Sequence, residues 1–266
     1  MMRQLAQRRF LITGASSGIG RSLAEQAVGR GARVILAARS GDKLEDLARA
    51  LTGRGGEAVA VPADVTSEID RQRLLEIAIE HFGGLDVLIN NAGIGSFGHF
   101  ADSSEEVLRR IMEVNFFAPA ELMRLFIPVL AQGQQPAIVN IASMCGRRGL
   151  PAWTEYSASK FALCGLTEAL RGEMARFDID VLLILPGLTR SDLPRHLLRN
   201  TGRMKIAFDR GMPPEQVADA VLRALERNRA ETIIGRDARW LLRFNRLFPR
   251  LTDRLIARRV RQLYAP

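Results

Sequence analysis

What most constrains this chain is a rhythm. Short, continuously apolar runs alternate with longer amphipathic stretches from Phe10 almost to Gly235. The runs read as strands at Phe10–Thr13, Arg33–Ala38, Ala58–Pro62, Leu85–Asn90, Ala137–Ala142, Asp180–Leu185 and Thr232–Ile234. Helices are expected from the turn after Thr13 to about Gly29, then over Asp42–Thr52, Ser67–Phe82, Trp153–Phe177 and Pro213–Asn228. Two more fall between Ser104 and Gln132, with a break between them. Strands that are apolar along their whole length are buried on both faces, and their alternation with helices makes neighbours parallel. Right-handed crossovers then predict an α/β fold: a single doubly wound parallel sheet of about seven strands with helices on both faces. No repeat or low-complexity linker divides residues 1–235, which are read as one domain.

The first strand runs into Gly14-Ala15-Ser16-Ser17-Gly18-Ile19-Gly20. Glycines at a strand end allow a tight turn and let a helix N-terminus approach a pyrophosphate with no Cβ in the way. Between the first strand and first helix of a βαβ unit, this is the context of a dinucleotide (Rossmann) site. The second strand ends Ala38-Arg39-Ser40, with no carboxylate to accept from a ribose 2′-hydroxyl. A guanidinium there can pair with a 2′-phosphate, and Ser16, Ser17 and Ser40 can add hydroxyl donors. The expected cofactor is therefore NADP(H).

The chain has two tyrosines and three lysines, and one of each stands four residues apart at Tyr156 and Lys160. Random placement gives roughly 0.02 such pairs. With 35 arginines and only three lysines, a lysine here suits a site needing a compact three-donor ammonium. On a helix the two side chains share a face. The ammonium is expected to pull the phenol pKa down toward working pH, making Tyr156 a general acid/base.

With these pieces placed, the chain resembles the short-chain dehydrogenase/reductase family over about residues 8–235. The motifs that carry the resemblance are Thr13 to Gly20, Asp64-Val65, Asn90-Asn91-Ala92-Gly93, Asn115, Ser143, Tyr156-x-x-x-Lys160 and Pro186-Gly187. The resemblance implies a catalytic set of Asn115, Ser143, Tyr156 and Lys160. Tyr156 exchanges the proton with the substrate oxygen, Ser143 hydrogen-bonds that oxygen, Lys160 holds the nicotinamide ribose, and Asn115 positions a water. It implies a nucleotide site of Gly14, Ser16, Ser17, Gly18, Ile19, Gly20, Arg39, Asp64, Val65, Asn90, Ala92, Gly93, Pro186, Gly187, Leu188, Thr189 and Ser191, together with Tyr156 and Lys160. Asn90 is also a candidate for bracing the sheet. The reaction implied is reduction of a carbonyl or oxidation of the matching secondary alcohol. The alternative is a catalytically idle NADP(H)-binding sensor or scaffold on the same fold. A homodimer or homotetramer is implied through the helices around Ala118–Leu130 and Trp153–Phe177.

Residues Arg190–Met212 occupy the position of the family's substrate loop. Leu193, Leu197, Leu198, Met204, Ile206 and Phe208 there, with Ile94, Phe97, Met144, Leu150 and Trp153, suggest an apolar pocket. Arg190, Arg195, Arg199, Arg203 and Arg210 suggest a cationic rim. Met144 and Trp153 join Ser143 and Tyr156 as expected substrate contacts.

The net charge of +9 is not spread evenly. Residues 236–261 hold nine arginines and two aspartates, +7, leaving 9 − 7 = +2 for the rest. Residues 236–266 read as a basic amphipathic extension in which Pro249 must break or kink the helix. Such a stripe can lie on an anionic membrane surface, or pack on the protein's own core or a sister subunit. Nucleic-acid binding lacks a recognisable module. His81, His99 and His196, with Cys145 and Cys164, have no metal-site or disulfide spacing, so no metal is expected. No apolar run reaches the ~20 residues of a membrane span and no signal peptide is evident, which predicts a cytoplasmic protein.

Overall fold

The structure, a computed structural model, describes residues 2–190, 193, 197–204 and 206–264. Seven parallel strands form one sheet: β1 (Arg9–Thr13), β2 (Arg33–Ala38), β3 (Glu57–Pro62), β4 (Val87–Asn90), β6 (Ala137–Ile141), β7 (Asp180–Pro186) and β9 (Glu231–Ile234). Their spatial order is β3-β2-β1-β4-β6-β7-β9. Between β1 and β4 the winding reverses, so the two chain segments leaving those strands diverge and open a crevice at their C-terminal ends. The seven strands agree with the expected ones to within about two residues at each end, the usual uncertainty of such boundaries.

Both faces of the sheet are covered. Phe10, Ile12, Val34, Leu36, Val87 and Ile89 point to the side held by α1 (Gly18–Gly29), α2 (Gly41–Thr52) and α7 (Pro214–Glu226). Leu11, Ile35, Leu88 and Ile138 point to the side held by α3 (Glu68–Phe82), α5 (Ala118–Leu130) and α6 (Thr154–Met174). Alternate residues of one strand thus enter opposite cores, as the period of a strand dictates. Helix starts follow capping chemistry where it is available. Ser67 and Ser104 accept from the amides of Asp70 and Val107 at the N-termini of α3 and α4 (Glu105–Met112).

Two features depart from the sequence reading. The break expected between Ser104 and Gln132 is a five-residue π turn, Glu113–Phe117, that joins α4 to α5 without interruption. Pro119 has no N–H for the carbonyl four residues back, that of Asn115, and the ladder widens there instead of ending. A second sheet is also present, in which β5 (Gly95–Phe97) pairs in parallel with β8 (Leu197–Asn200). It ties the segment after β4 to the expected substrate loop.

The extension folds as two helices, α8 (Arg236–Leu247) and α9 (Pro249–Tyr264), divided at Phe248 with Pro249 at the first position of α9. Ala238 and Leu242 of α8 and Thr252 of α9 are buried against the body of the protein. The two helices are therefore seated on the body through Ala238, Leu242 and Thr252.

Gly20 is the tightest point of the first turn. A Cβ there would stand 2.2 Å from the Gly14 carbonyl oxygen and 2.5 Å from Asn91 Nδ2. Gly29, at the other end of α1, has nothing within 4 Å of its Cβ position. Gly20→Ala is expected to cost about 1–3 kcal/mol by overpacking, whereas Gly29→Ala is expected to be neutral or to stabilise by up to about 1 kcal/mol. Urea denaturation of the two variants checks the contrast.

Candidate active site

The crevice at the β1/β4 reversal is the mouth of a cleft of about 1690 Å³. That exceeds the ~300–1,000 Å³ of an ordinary small-molecule site and leaves room for a dinucleotide beside a second ligand. Of the nucleotide residues expected from sequence, Gly14, Ser16, Ser17, Gly18, Ile19, Arg39, Asp64, Val65, Ala92, Gly93, Pro186, Gly187, Leu188 and Thr189 line it. Ser191 lies outside the described residues.

The glycine turn is built for close approach. Gly14 (φ +66°) and Gly18 (φ +52°) take left-handed backbone that disfavours a side chain. A Cβ at Gly14 would also stand 3.0 Å from the Cα of Ala92. Gly20 does not line the cleft; its missing Cβ lets α1 sit on the turn. Opposite it, a Cβ on Gly93 would stand 3.2 Å from Asn115 Oδ1 and 3.6 Å from Lys160 Nζ. Cradles that only glycine fits, beside a helix N-terminus, suit a pyrophosphate and its attached nucleoside.

Asn90 is a correction. It does not line the cleft: its amide donates to Asn140 Oδ1 at 2.8 Å, and Asn140 donates on to Thr167 Oγ1 at 2.9 Å. Asn90 therefore braces β4 and β6 against α6, the second role that the resemblance allowed it. Its neighbour Asn91 faces the site instead, donating to the carbonyl of Thr13 at 2.9 Å. Side chains alternate along a strand, so one residue's shift exchanges core for cleft.

At the far end, Asp64 accepts from the amide and hydroxyl of Thr66 at 2.9 and 2.7 Å and faces Arg110 at 3.5 Å. Burial alone would raise its carboxyl, but these hydrogen bonds, with Arg110 and Arg39, hold it below the usual carboxylate range. Arg110 was missed from sequence because only the fold brings α4 over Asp64; nothing in its local pattern marks it.

The chemistry end is carried by α6. Tyr156 is half-buried with its ring edge-on to Trp153, centroids 5.4 Å apart. Trp153 in turn packs on Phe97 and Phe208 at 5.2 and 6.4 Å. Ser143 follows β6, its hydroxyl accepting from the Cys145 amide at 3.1 Å. Lys160 is buried, donates to the Ile141 carbonyl at 3.0 Å, and lies 5.8 Å from the centre of the Tyr156 ring. Asn115, on the π turn, is wholly engaged: it accepts from Ile94 N at 2.9 Å and donates to Ile94 O at 2.9 Å and Ser159 Oγ at 3.0 Å. Ser159 donates to the Tyr156 carbonyl at 2.8 Å. The turn that holds Asn115 is thereby pinned to the helix that holds Tyr156 and Lys160. Both amide hydrogens of Asn115 are used in this pinning, so a water there has only its backbone or the outer lone pair of Oδ1 to use.

The expected lowering of the tyrosine pKa by the lysine is not what this arrangement produces. Burial pushes the phenol above its ordinary value, Cys145 adds to the rise, and the Ser143 hydroxyl pulls the other way. Burial also lowers Lys160 to about 8 from 10.5. The ammonium is directed at a backbone carbonyl and the ring, and removal from water outweighs the nearby thiols that favour its charged form.

Leu193, Leu197, Leu198, Met204, Ile206 and Phe208 all line the cleft, as do Ile94, Met144, Leu150 and Trp153; Phe97 instead backs Trp153 from behind. The rim is not the one expected. Arg210 alone of the described loop arginines lines the cleft, and Arg195 lies outside the described residues. Arg199 turns away and donates to the His99 carbonyl. Arg236, Arg239 and Arg259 of the two C-terminal helices line the cleft as well, as do Arg39, Arg110 and Arg223. Helix α8 lies so close that a Cβ on Gly187 would stand 2.9 Å from the Cβ of Ala238.

A glycine cradle at the sheet's reversal, with a tyrosine, a serine and a buried lysine facing the same cleft, defines a nucleotide-dependent oxidoreductase. The short chain dehydrogenase family profile matches residues 8–201. An uncharacterized oxidoreductase of Bacillus subtilis, YxnA, is 36% identical over 260 residues, covering 96% of this chain and 73% of its own. A short chain dehydrogenase/reductase from Burkholderia phymatum in complex with NAD superimposes with a TM-score of 0.86 at 26% identity, over 94% of this chain and 96% of that one. A short chain dehydrogenase from Burkholderia cenocepacia in complex with NADP gives a TM-score of 0.80 at 29% identity, over 99% and 100%. The chain belongs to the short-chain dehydrogenase/reductase family, whose cofactor is a nicotinamide nucleotide.

The lowered pKa of Lys160 has a consequence for stability. Between about 8 and 10.5 the unfolded chain holds a proton at Lys160 that the folded chain has lost, so folding stability gains as pH rises through that window. Comparing the ligand-free protein with Lys160→Met by denaturant unfolding at pH 7.5 and pH 10, the wild type is expected to gain relative to the variant by an amount on the order of 3 kcal/mol. Parallel pH dependences would show that the lysine is not desolvated.

Proposed function

We propose that the chain is an NADP(H)-dependent oxidoreductase that reduces a carbonyl, or oxidises the corresponding secondary alcohol, with Tyr156 as acid/base and a hydrophobic substrate. The observation that carries this reading is the shared outlook of Tyr156, Ser143 and Lys160 onto a cleft whose other half is a glycine cradle. A bound nicotinamide supplies or takes up the hydride. In reduction, charge grows on the carbonyl oxygen, where Ser143 donates a hydrogen bond and Tyr156 transfers its proton. A raised phenol pKa keeps Tyr156 protonated and ready as the acid. Lys160, held by Ile141, stands beside the ring to stabilise the phenolate that remains. Asn115 is a positioning residue, acting on Tyr156 through Ser159.

NADP(H) is favoured over NAD(H) by Arg39, which is exposed at the cleft after β2 with no carboxylate at the end of that strand. The apolar lining supports a medium or long hydrophobic substrate. A homo-oligomer through α5 and α6 is supported by Phe117 and Phe161, large side chains left exposed on that face. Two free, buried cysteines suit a reducing compartment, and we infer a cytoplasmic location.

Tyr156→Phe is expected to lower kcat/KM for NADPH-dependent carbonyl reduction by about a thousandfold, while NADPH affinity by fluorescence titration changes little. Retained turnover would remove Tyr156 from the chemistry. Arg39→Asp is expected to shift the NADPH-to-NADH ratio of kcat/KM toward NADH by about ten- to a hundredfold, the loss of one charge-assisted pair. A wild type that already prefers NADH refutes the cofactor assignment.

A further inference from the structure

The C-terminal helices have two faces, and the site uses only one. The inner face is accounted for. Ala238, Leu242 and Thr252 are buried, Arg148 from the loop after Ser143 reaches Asn245 Oδ1 at 3.1 Å and Asp253 Oδ1 at 2.5 Å, and Ile256 and Val260 line the cleft. The outer face is apolar and bare. Trp240, Leu247, Phe248, Leu251 and Leu255 are all among the large hydrophobic residues left exposed, Trp240 at 65% and Leu247 at 71%. Trp240 stacks on Phe244 at 5.1 Å and 9°, and Phe244 meets Phe248 at 5.4 Å, so the aromatic side chains form one continuous ridge. Leu247, Leu251 and Leu255 continue at four-residue spacing, which keeps Leu251 and Leu255 on one face of α9.

The charge around this ridge is predominantly positive, with Asp237 the one exposed aspartate of the segment not engaged by Arg148. All nine arginines of residues 236–261 are exposed, and among the described residues none forms an ion pair. Of the two aspartates, Asp253 is already taken by Arg148. Exposed apolar and aromatic side chains flanked by unpaired arginines match the boundary of an anionic bilayer, where the ridge enters the acyl region and the guanidinium groups meet lipid phosphates. Nucleic acid offers the arginines the same phosphates but has no apolar layer to receive the leucines. A second copy of the chain would have to bring the same +7 segment into contact with its own.

We propose that α8 and α9 form an interfacial anchor that docks this protein on an anionic phospholipid surface. Trp240 belongs both to the ridge and to the wall of the cleft. Docking therefore brings the opening of the cleft against the bilayer, where apolar molecules partition.

The full chain, without substrate or nucleotide, is mixed with phosphatidylcholine vesicles with or without about one-third phosphatidylglycerol. It is expected to sediment with the anionic vesicles and not the neutral ones, and to release as salt is raised. Trp240 reports insertion by a blue shift of emission that is absent in Trp240→Phe, because Trp153 is already buried. The paired substitutions Arg246→Glu with Arg250→Glu, and separately Phe248→Ser with Leu251→Ser, are expected to weaken binding by about tenfold or more. These four side chains are exposed, so unchanged circular dichroism and melting certify the fold of each variant. A chain that stays in the supernatant at low salt overturns the proposal. So does binding indifferent to both double variants. A dimer in solution that Phe248→Ser with Leu251→Ser converts to monomer, without vesicle binding by the wild type, assigns the ridge to a second copy. Binding to duplex DNA that ignores Phe248 and Leu251, again without vesicle binding, assigns the arginines to nucleic acid. None of these readouts depends on turnover, so the catalytic reading can fail while this one stands.

Discussion

One hydroxyl holds the cleft open. Thr13 ends β1, and its Oγ1 accepts from the amides of Asn91 and Ala92 at 2.9 and 3.0 Å while donating to the Ile89 carbonyl at 3.3 Å. Asn91 returns the contact, its amide donating to Thr13 O at 2.9 Å and Gly14 O at 3.3 Å. The two strands whose successors diverge are thus tied at the point of divergence. Each buried polar group of the knot finds its partner inside the knot, so the arrangement stays defined rather than merely compact. The glycines follow from it. Gly14 must pass over Ala92, and α1 must start directly on that turn, so neither Gly14 nor Gly20 has space for a side chain.

From this knot the chain reaches the reacting groups through Gly93 and Asn115. Gly93 leaves room for the Asn115 amide and the Lys160 ammonium close beside it, and Asn115 fastens the π turn to α6 through Ser159. Pro119 has a part in this. By denying Asn115 a regular helical partner it widens the turn where the buried amide is held. Lys160 is fixed on β6 through Ile141 and the helix of Tyr156 on the π turn through Ser159, and each of the two groups is held against its charged form by burial. A site of that kind lowers stability locally for the sake of placed groups that respond strongly to a new neighbour.

The sheet, its helices and the order of the site motifs were legible because they rest on local rules: apolar runs, a 3.6-residue period, glycines at a strand end. What was not legible depends on distance in the fold. β5 is three residues long and has no period to detect, and it exists because β8 pairs with it from a hundred residues away. Asn90 and Asn91 are adjacent in a shared motif, and only the pleat decides which faces the cleft. Arg110 meets Asp64 because α4 crosses above it. The effect of Lys160 on Tyr156 was misjudged because sequence gives spacing along a helix but not the cost of taking both groups out of water.

The C-terminal arginines show how one periodicity can serve two surfaces. A residue every three or four positions marks a stripe, but a stripe has neighbours on either side, and sequence does not say which side is turned inward. Here Arg236, Arg239, Trp240 and Arg259 line the cleft, while Phe248 and Leu251 are exposed and take no part in it. The kink at Pro249 makes both possible. A single straight helix of this length would leave the sheet's edge, whereas two helices joined at Phe248 return Ile256 and Val260 to the cleft wall and leave the apolar ridge outside the bend. The described residues of the loop after β7, Leu193, Leu197, Leu198 and Met204 among them, line the same cleft. Its cations are drawn from Arg39 after β2, Arg110 of α4, Arg210 of the loop and Arg223 of α7 as well as from the C-terminal helices, so the charge of one cleft is assembled from stripes spread over the whole chain.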